Sequence, residues 1–344
     1  MQKGIMIEMK YKALVTAELD VEVLKNTVSD IEFDVAGYCI DHETMTSDDL
    51  KNIIEPYDIL ISEFETVTSD VINAAKNLKL IICCRGGVKS VIDLQAARQR
   101  NIMVSHNAGR NANSVSELVL GYILDFNRNI TLSNQLIHDR VITSDVRNLP
   151  TEYKDTIWGL NNDSPYVKLR GRSLKTMTLG IIGFGNVGRQ VAEKAQIFGL
   201  KIIIYDPIES TMAISENVKR VTFEEVLQEA DIVSLHCPVT SFNKDMMSYD
   251  QFKLMKKDAF FINTARGGLV DEEALCWALQ NGEIAGAAID VTKQEPISSD
   301  NPLLNVPNLL ITPHIAGASE DVVKKGTEMV IHKLISFLGM DLVM

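Results

Sequence analysis

The sequence of 344 residues lacks the segments that mark membrane, secreted or fibrous proteins. No apolar run approaches the roughly 18 residues that a membrane-spanning helix needs, and the N-terminal segment does not resemble a secretory signal. The composition, with 46% hydrophobic and 23% charged residues, is that of an ordinary globular protein. Because domains average about 150 residues, this length predicts two domains. The lack of a long apolar run predicts no membrane partner.

Cysteine is scarce and irregularly placed. The five cysteines are an odd number, and no two of them have the CxxC spacing that is typical of zinc sites. The pattern therefore predicts neither a metal site nor a disulfide framework. Free thiols are typical of a reducing compartment, and we expect a cytoplasmic protein.

Basic residues are also in deficit. Lysine and arginine total 34 against 46 acidic residues, which gives a formal net charge of −12. A negative field over the whole protein repels a phosphodiester backbone, so we expect no nucleic-acid partner.

Short apolar runs alternate with helical patterns along most of the chain. In the first half, residues 58–61 and 80–84 have the pattern of buried strands, and residues 114–138 have the period of one long helix. Six further strands are predicted in the second half, at 177–182, 201–205, 231–235, 259–263, 285–289 and 309–312. Strands that alternate with helices predict parallel, doubly wound sheets.

A glycine-rich turn follows the first strand of the second half. Gly183, Gly185 and Gly188 form a GxGxxG motif between a predicted strand and a predicted helix. Such glycines permit a tight turn, the approach of a pyrophosphate and close packing of the helix. Asp206 ends the next predicted strand, where a carboxylate binds the ribose hydroxyls of NAD and repels the 2′-phosphate of NADP. The spacing predicts a dinucleotide site that prefers NAD.

Polar residues follow the later strands of the same predicted sheet. His236, Arg266, Asp290 and His314 each stand at or just after a strand end, and Glu295 follows Asp290 by five residues. Ligands of doubly wound sheets bind at the carboxyl ends of the strands. The five side chains are therefore candidates for one site.

These segments together carry a family resemblance. The motifs at 183–188, 236–238, 263–268, 286–296 and 312–317 stand in the order found in the D-isomer-specific 2-hydroxyacid dehydrogenases, which the chain resembles. Residues 84–88 and 109–112 are similar to the phosphoglycerate-dehydrogenase-like branch.

The resemblance implies an α/β protein in which a Rossmann cofactor domain is inserted into a flavodoxin-like substrate domain. Residues 108–317 would form the cofactor domain, and residues 1–107 with 318–344 the substrate domain. It also implies a homodimer to which the long helix at 114–138 contributes. The apolar face of that helix could instead pack within the protein.

The site residues follow from the same resemblance. Arg266, Glu295 and His314 correspond to the catalytic residues, with Arg266 also binding the substrate carboxylate beside Arg85, Gly86 and Gly87. The residues that correspond to cofactor contacts are Gly183, Gly185, Asn186, Val187, Gly188, Asp206, His236, Cys237, Pro238, Thr264, Ala265, Asp290, Gly317 and Val115. An imidazole suits proton transfer near neutral pH, and the Glu295 carboxylate would fix its tautomer and orientation.

The implied activity is NAD-dependent interconversion of a small 2-hydroxy acid and its 2-keto acid. Two alternatives stay open, namely a 3-phosphoglycerate dehydrogenase proper and a non-catalytic scaffold that senses NAD. The glutamate at 295 argues against the formate dehydrogenase branch, in which that position resembles a glutamine. Glu63 and Glu65 follow a predicted strand at the expected substrate position, and their charges predict a non-phosphorylated substrate. Arg85 is the one cation nearby, and its role stays open.

Overall fold

The computed structural model describes residues 11–142, 164–208 and 217–339. The chain forms two compact units, which we number in chain order. Unit 1 consists of Met1–Asn111 and Ala318–Met344, and unit 2 is the intervening segment Ala112–Gly317.

Unit 1 is built on a parallel five-stranded sheet. Its strands are β1 (Tyr11–Val15), β2 (Ile31–Val35), β3 (Ile59–Ser62), β4 (Leu80–Cys83) and β5 (Met103–His106), in the order β2-β1-β3-β4-β5. This is the flavodoxin-like order. The helices of the first segment are α1 (Val21–Thr27), α2 (Tyr38–Asp41), α3 (Ser47–Ile53), α4 (Ser69–Ala74) and α5 (Leu94–Gln99). The C-terminal helix, Glu320–Leu338, returns to this unit and buries Val330 and Leu334 against one face of the sheet.

Unit 2 is built on a parallel seven-stranded sheet. The strands are β6 (Thr178–Ile182), β7 (Lys201–Tyr205), β8 (Val218–Arg220), β9 (Ile232–Leu235), β10 (Phe260–Asn263), β11 (Gly286–Ile289) and β12 (Leu309–Ile311). Their order is β12-β11-β10-β9-β6-β7-β8, which contains the dinucleotide-binding order 3-2-1-4-5-6. The helices are α6 (Ala112–Arg128), α7 (Ile130–His138), α8 (Pro165–Lys168), α9 (Asn186–Ile197), α10 (Phe223–Glu229), α11 (Tyr249–Leu254) and α12 (Glu272–Gln280). The predicted fold class is confirmed.

The prediction of a single long helix at 114–138 is wrong, because the helix is interrupted at Asn129, between α6 and α7. Asn129 has a φ of 52°, and its side-chain amide donates to the carbonyl of Leu169 at 3.1 Å. Asp125 accepts from the amide of Thr131 at 2.7 Å and so caps the new helix. The left-handed backbone conformation of Asn129 changes the direction of the chain. Asparagine adopts this conformation more readily than most residues.

The two halves of that predicted helix have different surroundings. Val119 and Ile123 of α6 are buried in the core of unit 2. Ile130, Leu132 and Ile137 of α7 are each about half exposed. The apolar face of α6 therefore packs within its own unit, and only α7 presents large apolar side chains to solvent.

Two further properties concern the whole described chain. Within the described ranges, no helix is long and apolar enough to cross a bilayer. All five cysteines are free thiols, and Cys83 and Cys84 are fully buried at the end of β4.

Candidate active site

The glycine-rich turn joins β6 to α9, and two of its glycines are sterically required. Gly183 has a φ of 93°, and a Cβ there would lie 2.7 Å from the carbonyl carbon of His236. A Cβ on Gly188 would lie 2.2 Å from the carbonyl oxygen of Gly183. These contacts bring the start of α9 against β6 and the end of β9, so a side chain at either position would displace the helix.

Gly185 stands at the open side of this turn. Nothing lies within 4 Å of the position that its Cβ would take, and it caps α9 with no side-chain hydrogen bond. Asn186 and Val187 begin the helix, so main-chain amides of its first turn are available to an anion. Thr264, just after β10, has a buried hydroxyl with no hydrogen-bond partner in the described chain. A free helix terminus and an orphaned hydroxyl fit a dinucleotide such as NAD.

Asp206 lies one residue after β7, beside the turn. Its Oδ2 accepts from the amide of Phe184 at 2.7 Å, and its Oδ1 accepts from the amide of Ile208 at 2.8 Å. The first bond fixes the carboxylate against the glycine-rich turn, at the strand end where an acid binds ribose hydroxyls in this fold.

His236, Cys237 and Pro238 follow β9, and the backbone of His236 and Cys237 lies against Gly183. The Nε2 atom of His236 lies 2.8 Å from the hydroxyl of Ser234, and burial lowers the pKa of His236 to about 3. Burial also raises the pKa of the Cys237 thiol to about 11. Both groups are neutral near pH 7, and the low pKa makes His236 a weak base.

His314 and Glu295 form a hydrogen-bonded pair in unit 2. The Nδ1 atom of His314 lies 2.8 Å from Oε2 of Glu295, and both side chains are partly exposed. The amide of Thr292 donates to the other oxygen of Glu295 at 3.2 Å. With Nδ1 bound, Nε2 is the imidazole nitrogen left for a ligand.

Arg266 follows β10, and its turn packs against the loop that carries Glu295. A Cβ on Gly267 would lie 2.1 Å from the carbonyl carbon and oxygen of Thr292. The exposed guanidinium of Arg266 donates to the carbonyl of Ala265 at 2.6 Å. This backbone contact fixes the turn that carries Arg266 relative to the loop that carries Glu295. Glu295 in turn contacts His314.

Asp290 follows β11 and holds the backbone around His314. Its Oδ1 accepts from the amide of Ile315 at 2.9 Å, and its Oδ2 accepts from the amide of Ala316 at 2.8 Å. Thr312 donates its hydroxyl to the same carboxylate. Two successive amides around one carboxylate form an anion-binding nest, so the contacts of Asp290 are with the loop of His314.

Two predicted cofactor residues belong to other segments of unit 2. Val115 is buried in α6, and Gly317 is the last residue of unit 2. Conversely, Thr292 and Thr312 orient the predicted pair and were missed from the sequence. Both lie within three residues of a predicted catalytic residue, and that proximity was the signal available.

The predicted substrate loop lies after β4 in unit 1. Gly86 and Gly87 are exposed, and nothing lies within 4 Å of the position that either Cβ would take. The guanidinium of Arg85 lies 5.3 Å from the ring centre of Phe64. Among the described residues, no carboxylate forms an ion pair with Arg85.

The two carboxylates expected to repel a phosphate are both engaged inside unit 1. Arg110 forms two hydrogen bonds with the buried Glu63. Glu65 is also buried and accepts from the hydroxyl of Thr16 at 2.7 Å. The electrostatic reason for predicting a non-phosphorylated substrate is therefore weakened, because Arg110 compensates the charge of Glu63.

Comparison with known proteins agrees with this geometry. Residues 140–316 match the model of the NAD binding domain of the D-isomer specific 2-hydroxyacid dehydrogenases. The chain is 32% identical to a hydroxypyruvate reductase of Thermotoga maritima, over 96% of this chain and 99% of that protein. It is 34% identical to a D-3-phosphoglycerate dehydrogenase of Methanocaldococcus jannaschii, over 94% of this chain and 56% of that protein.

A solved structure shares the fold over nearly the whole chain. The TT0316 protein of Thermus thermophilus superposes with a TM-score of 0.75 at 30% identity, covering 96% of this chain and 98% of that one. The chain belongs to the D-isomer specific 2-hydroxyacid dehydrogenase family.

Proposed function

We propose that the protein interconverts small 2-hydroxy acids and the corresponding 2-keto acids, with NAD as its cofactor. The observation that carries the proposal is the 2.8 Å contact between His314 and Glu295 in the NAD-binding unit. When bound, NAD supplies the hydride acceptor or donor. In the direction of oxidation, Nε2 of His314 takes the proton of the C2 hydroxyl, and Glu295 stabilises the resulting imidazolium.

Arg266 would bind the carboxylate of the substrate and polarise its C2 oxygen. A guanidinium presents two parallel N–H groups that match a planar carboxylate. The family resemblance assigns Gly86 and Gly87 of unit 1 to the substrate as well. In this assignment unit 2 is the cofactor domain, and unit 1 is the substrate domain.

The substrate class is open between two candidates. A relative named hydroxypyruvate reductase supports an unphosphorylated keto acid. A relative named D-3-phosphoglycerate dehydrogenase supports a phosphorylated one, and the Glu63–Arg110 pair weakens the electrostatic objection to it. Arg85 is the residue that we propose contacts the distal group of the substrate.

We also propose a homodimer and a cytoplasmic location. The half-exposed Ile130, Leu132 and Ile137 of α7 support a contact between two copies. The five free thiols support a reducing compartment. Light scattering of wild type and of a variant with Ile130 and Ile137 changed to serine tests the dimer, which the variant should lose.

A screen of NADH-dependent reduction tests the activity. The panel contains glyoxylate, pyruvate, hydroxypyruvate, 3-phosphohydroxypyruvate and branched 2-keto acids. We expect turnover of at least one compound, and loss of that turnover in H314A and R266A while NADH still binds. A folded protein that binds NADH and reduces none of them would contradict the proposal and favour a sensing scaffold.

A further inference from the structure

A buried tyrosine hydroxyl connects α6 to the loop of His314. Tyr122 is 3% exposed, and its hydroxyl contacts Oγ1 of Thr312. Thr312 in turn donates its hydrogen to Oδ1 of Asp290. Because that hydrogen is used, Thr312 can only accept from Tyr122, and the phenol is the donor.

The chain of hydrogen bonds ends at three successive amides. The amide of His314 donates to the main-chain oxygen of Asp290 at 2.8 Å, and those of Ile315 and Ala316 donate to its carboxylate. His314 has a φ of 57°, a left-handed conformation that is strained for a non-glycine residue. Such a backbone persists where its surroundings determine it, and here Asp290 supplies the three acceptors.

We propose that Tyr122 is a positioning residue for His314 that acts through Thr312 and Asp290. This inference rests on the function proposed above, in which His314 moves the proton. With the phenol donating, the hydroxyl of Thr312 points to Asp290 and strengthens that bond. Without it, the hydroxyl rotates more freely, and the carboxylate holds the loop of His314 less firmly.

The surroundings of Tyr122 separate its hydroxyl from its packing. Its ring lies among Val119 and Ile123 in the apolar core of unit 2, where a phenylalanine ring would fill nearly the same volume. Burial raises the pKa of Tyr122 to about 12, so the phenol remains a donor throughout the neutral range. The role of the hydroxyl is therefore testable without removing the ring.

Helix α6 is held on its other side by α9, the helix that begins at the glycine-rich turn. The ammonium of Lys194 donates to the side-chain oxygen of Asn113 and to the hydroxyl of Ser116, both at 2.6 Å. Since α9 is fixed to α6 and α6 to the loop of His314, Tyr122 sets that loop in register with the predicted cofactor site.

The test compares Y122F with a matched control, Y57F. The Tyr57 hydroxyl also bonds a carboxylate, that of Asp34 at 3.0 Å, but it lies in unit 1. We expect Y122F to lower kcat about five-fold or more, as expected for one lost hydrogen bond, with an unchanged dissociation constant for NADH. Y57F should keep the wild-type kcat. Equal kcat values for Y122F and wild type would overturn the inference.

Variants of Thr312 test whether the effect passes along the chain. T312V should reproduce the defect of Y122F, T312S should retain more activity than T312V, and Y122F with T312V should be no worse than T312V alone. Fully additive losses would mean that Tyr122 acts by another route.

Amide hydrogen exchange supplies a readout that needs no substrate. The amides of Ile315 and Ala316 should exchange faster in Y122F than in wild type, and Y57F should leave them unchanged. Unchanged exchange in Y122F would overturn the inference even if the screen found no keto-acid substrate. If the wild-type protein reduced no keto acid and the two amides still exchanged faster in Y122F, the positioning role would stand. That result would count against the proposed function alone.

Discussion

Glu295 joins two groups with one carboxylate, because its Oε2 lies 2.8 Å from Nδ1 of His314 and its Oε1 accepts from the amide of Thr292. The second bond fixes the direction of the first. A glutamine can keep both contacts only by turning its amide, and it cannot stabilise an imidazolium by charge.

We therefore expect Glu295→Gln to lower kcat about ten- to hundred-fold at neutral pH, within the range of general acid–base effects. Steady-state kinetics on the best keto acid measures this, with NADH fluorescence titration as the control for cofactor binding. A kcat within two-fold of wild type would mean that Glu295 has no part in proton transfer.

Asp206 should determine cofactor preference. A 2′-phosphate placed against its carboxylate costs on the order of 1.4 kcal/mol or more, which is ten-fold in kcat/KM. We expect wild type to prefer NADH over NADPH by at least that factor. Asp206→Asn keeps an acceptor for the amide of Phe184 without the charge, and should bring the two cofactors closer together. Equal use of both by wild type would contradict the assignment.

The free energy of unfolding should decrease as the pH falls, because of His236. Its pKa is about 3 in the folded protein and about 6.5 when the chain unfolds. Below about pH 6.5 the unfolded state binds a proton that the folded state does not, so unfolding becomes easier as the pH falls. Between about pH 7 and pH 5 the loss is about 2 kcal/mol. Urea unfolding of wild type and His236→Gln measures it, and an identical pH dependence would contradict the prediction.

Gly267→Ala should disrupt the site through the backbone. Its Cβ would lie 2.1 Å from the carbonyl carbon and oxygen of Thr292, so the turn of Arg266 and the loop of Glu295 must separate. We expect a fall in kcat/KM of at least about a hundred-fold, as for a displacement of about 1 Å at a catalytic site. Gly121→Ala is the control, because its Cβ enters open space on α6. Normal kinetics for Gly267→Ala would show that this contact is dispensable.

Arg85 should discriminate between substrates by their distal group. Arg85→Met removes the cation beside Phe64 and keeps an apolar side chain there. We expect kcat/KM for 3-phosphohydroxypyruvate to fall at least ten-fold and that for hydroxypyruvate to change less than three-fold, since only the first carries a distal dianion. Equal effects on both compounds would place Arg85 away from that group.

Local patterns were sufficient for six of the seven strands of unit 2 and for the turn between β6 and α9, whereas the short strand β8 was missed. All the signals for that turn lie within residues 178–206. They are the apolar strand, the spacing of Gly183 and Gly188, and Asp206 at the end of the next strand. In unit 1 the strands β1, β2 and β5 were missed. In β5, Ser105 and His106 interrupt the apolar pattern, which an edge strand tolerates.

Contacts between distant residues were not predictable from one sequence. The Glu63–Arg110 pair spans 47 positions, and the Tyr122–Thr312 contact spans 190. From the sequence alone, Glu63 and Arg110 each have the interpretation of a solvated charge, and Tyr122 that of an aromatic residue in the core. The break at Asn129 likewise depends on the carbonyl of Leu169, 40 positions away.

Transfer of deuterium from the cofactor to the product tests the proposed hydride transfer. Wild-type protein is incubated with NADH carrying deuterium at both C4 positions and with the best keto acid of the screen other than glyoxylate, and the product is analysed by mass spectrometry and chiral chromatography. We expect a 2-hydroxy acid of D configuration with one deuterium at C2, and no such product from H314A. A product without deuterium at C2, or a racemic one, would contradict stereospecific hydride transfer at this site.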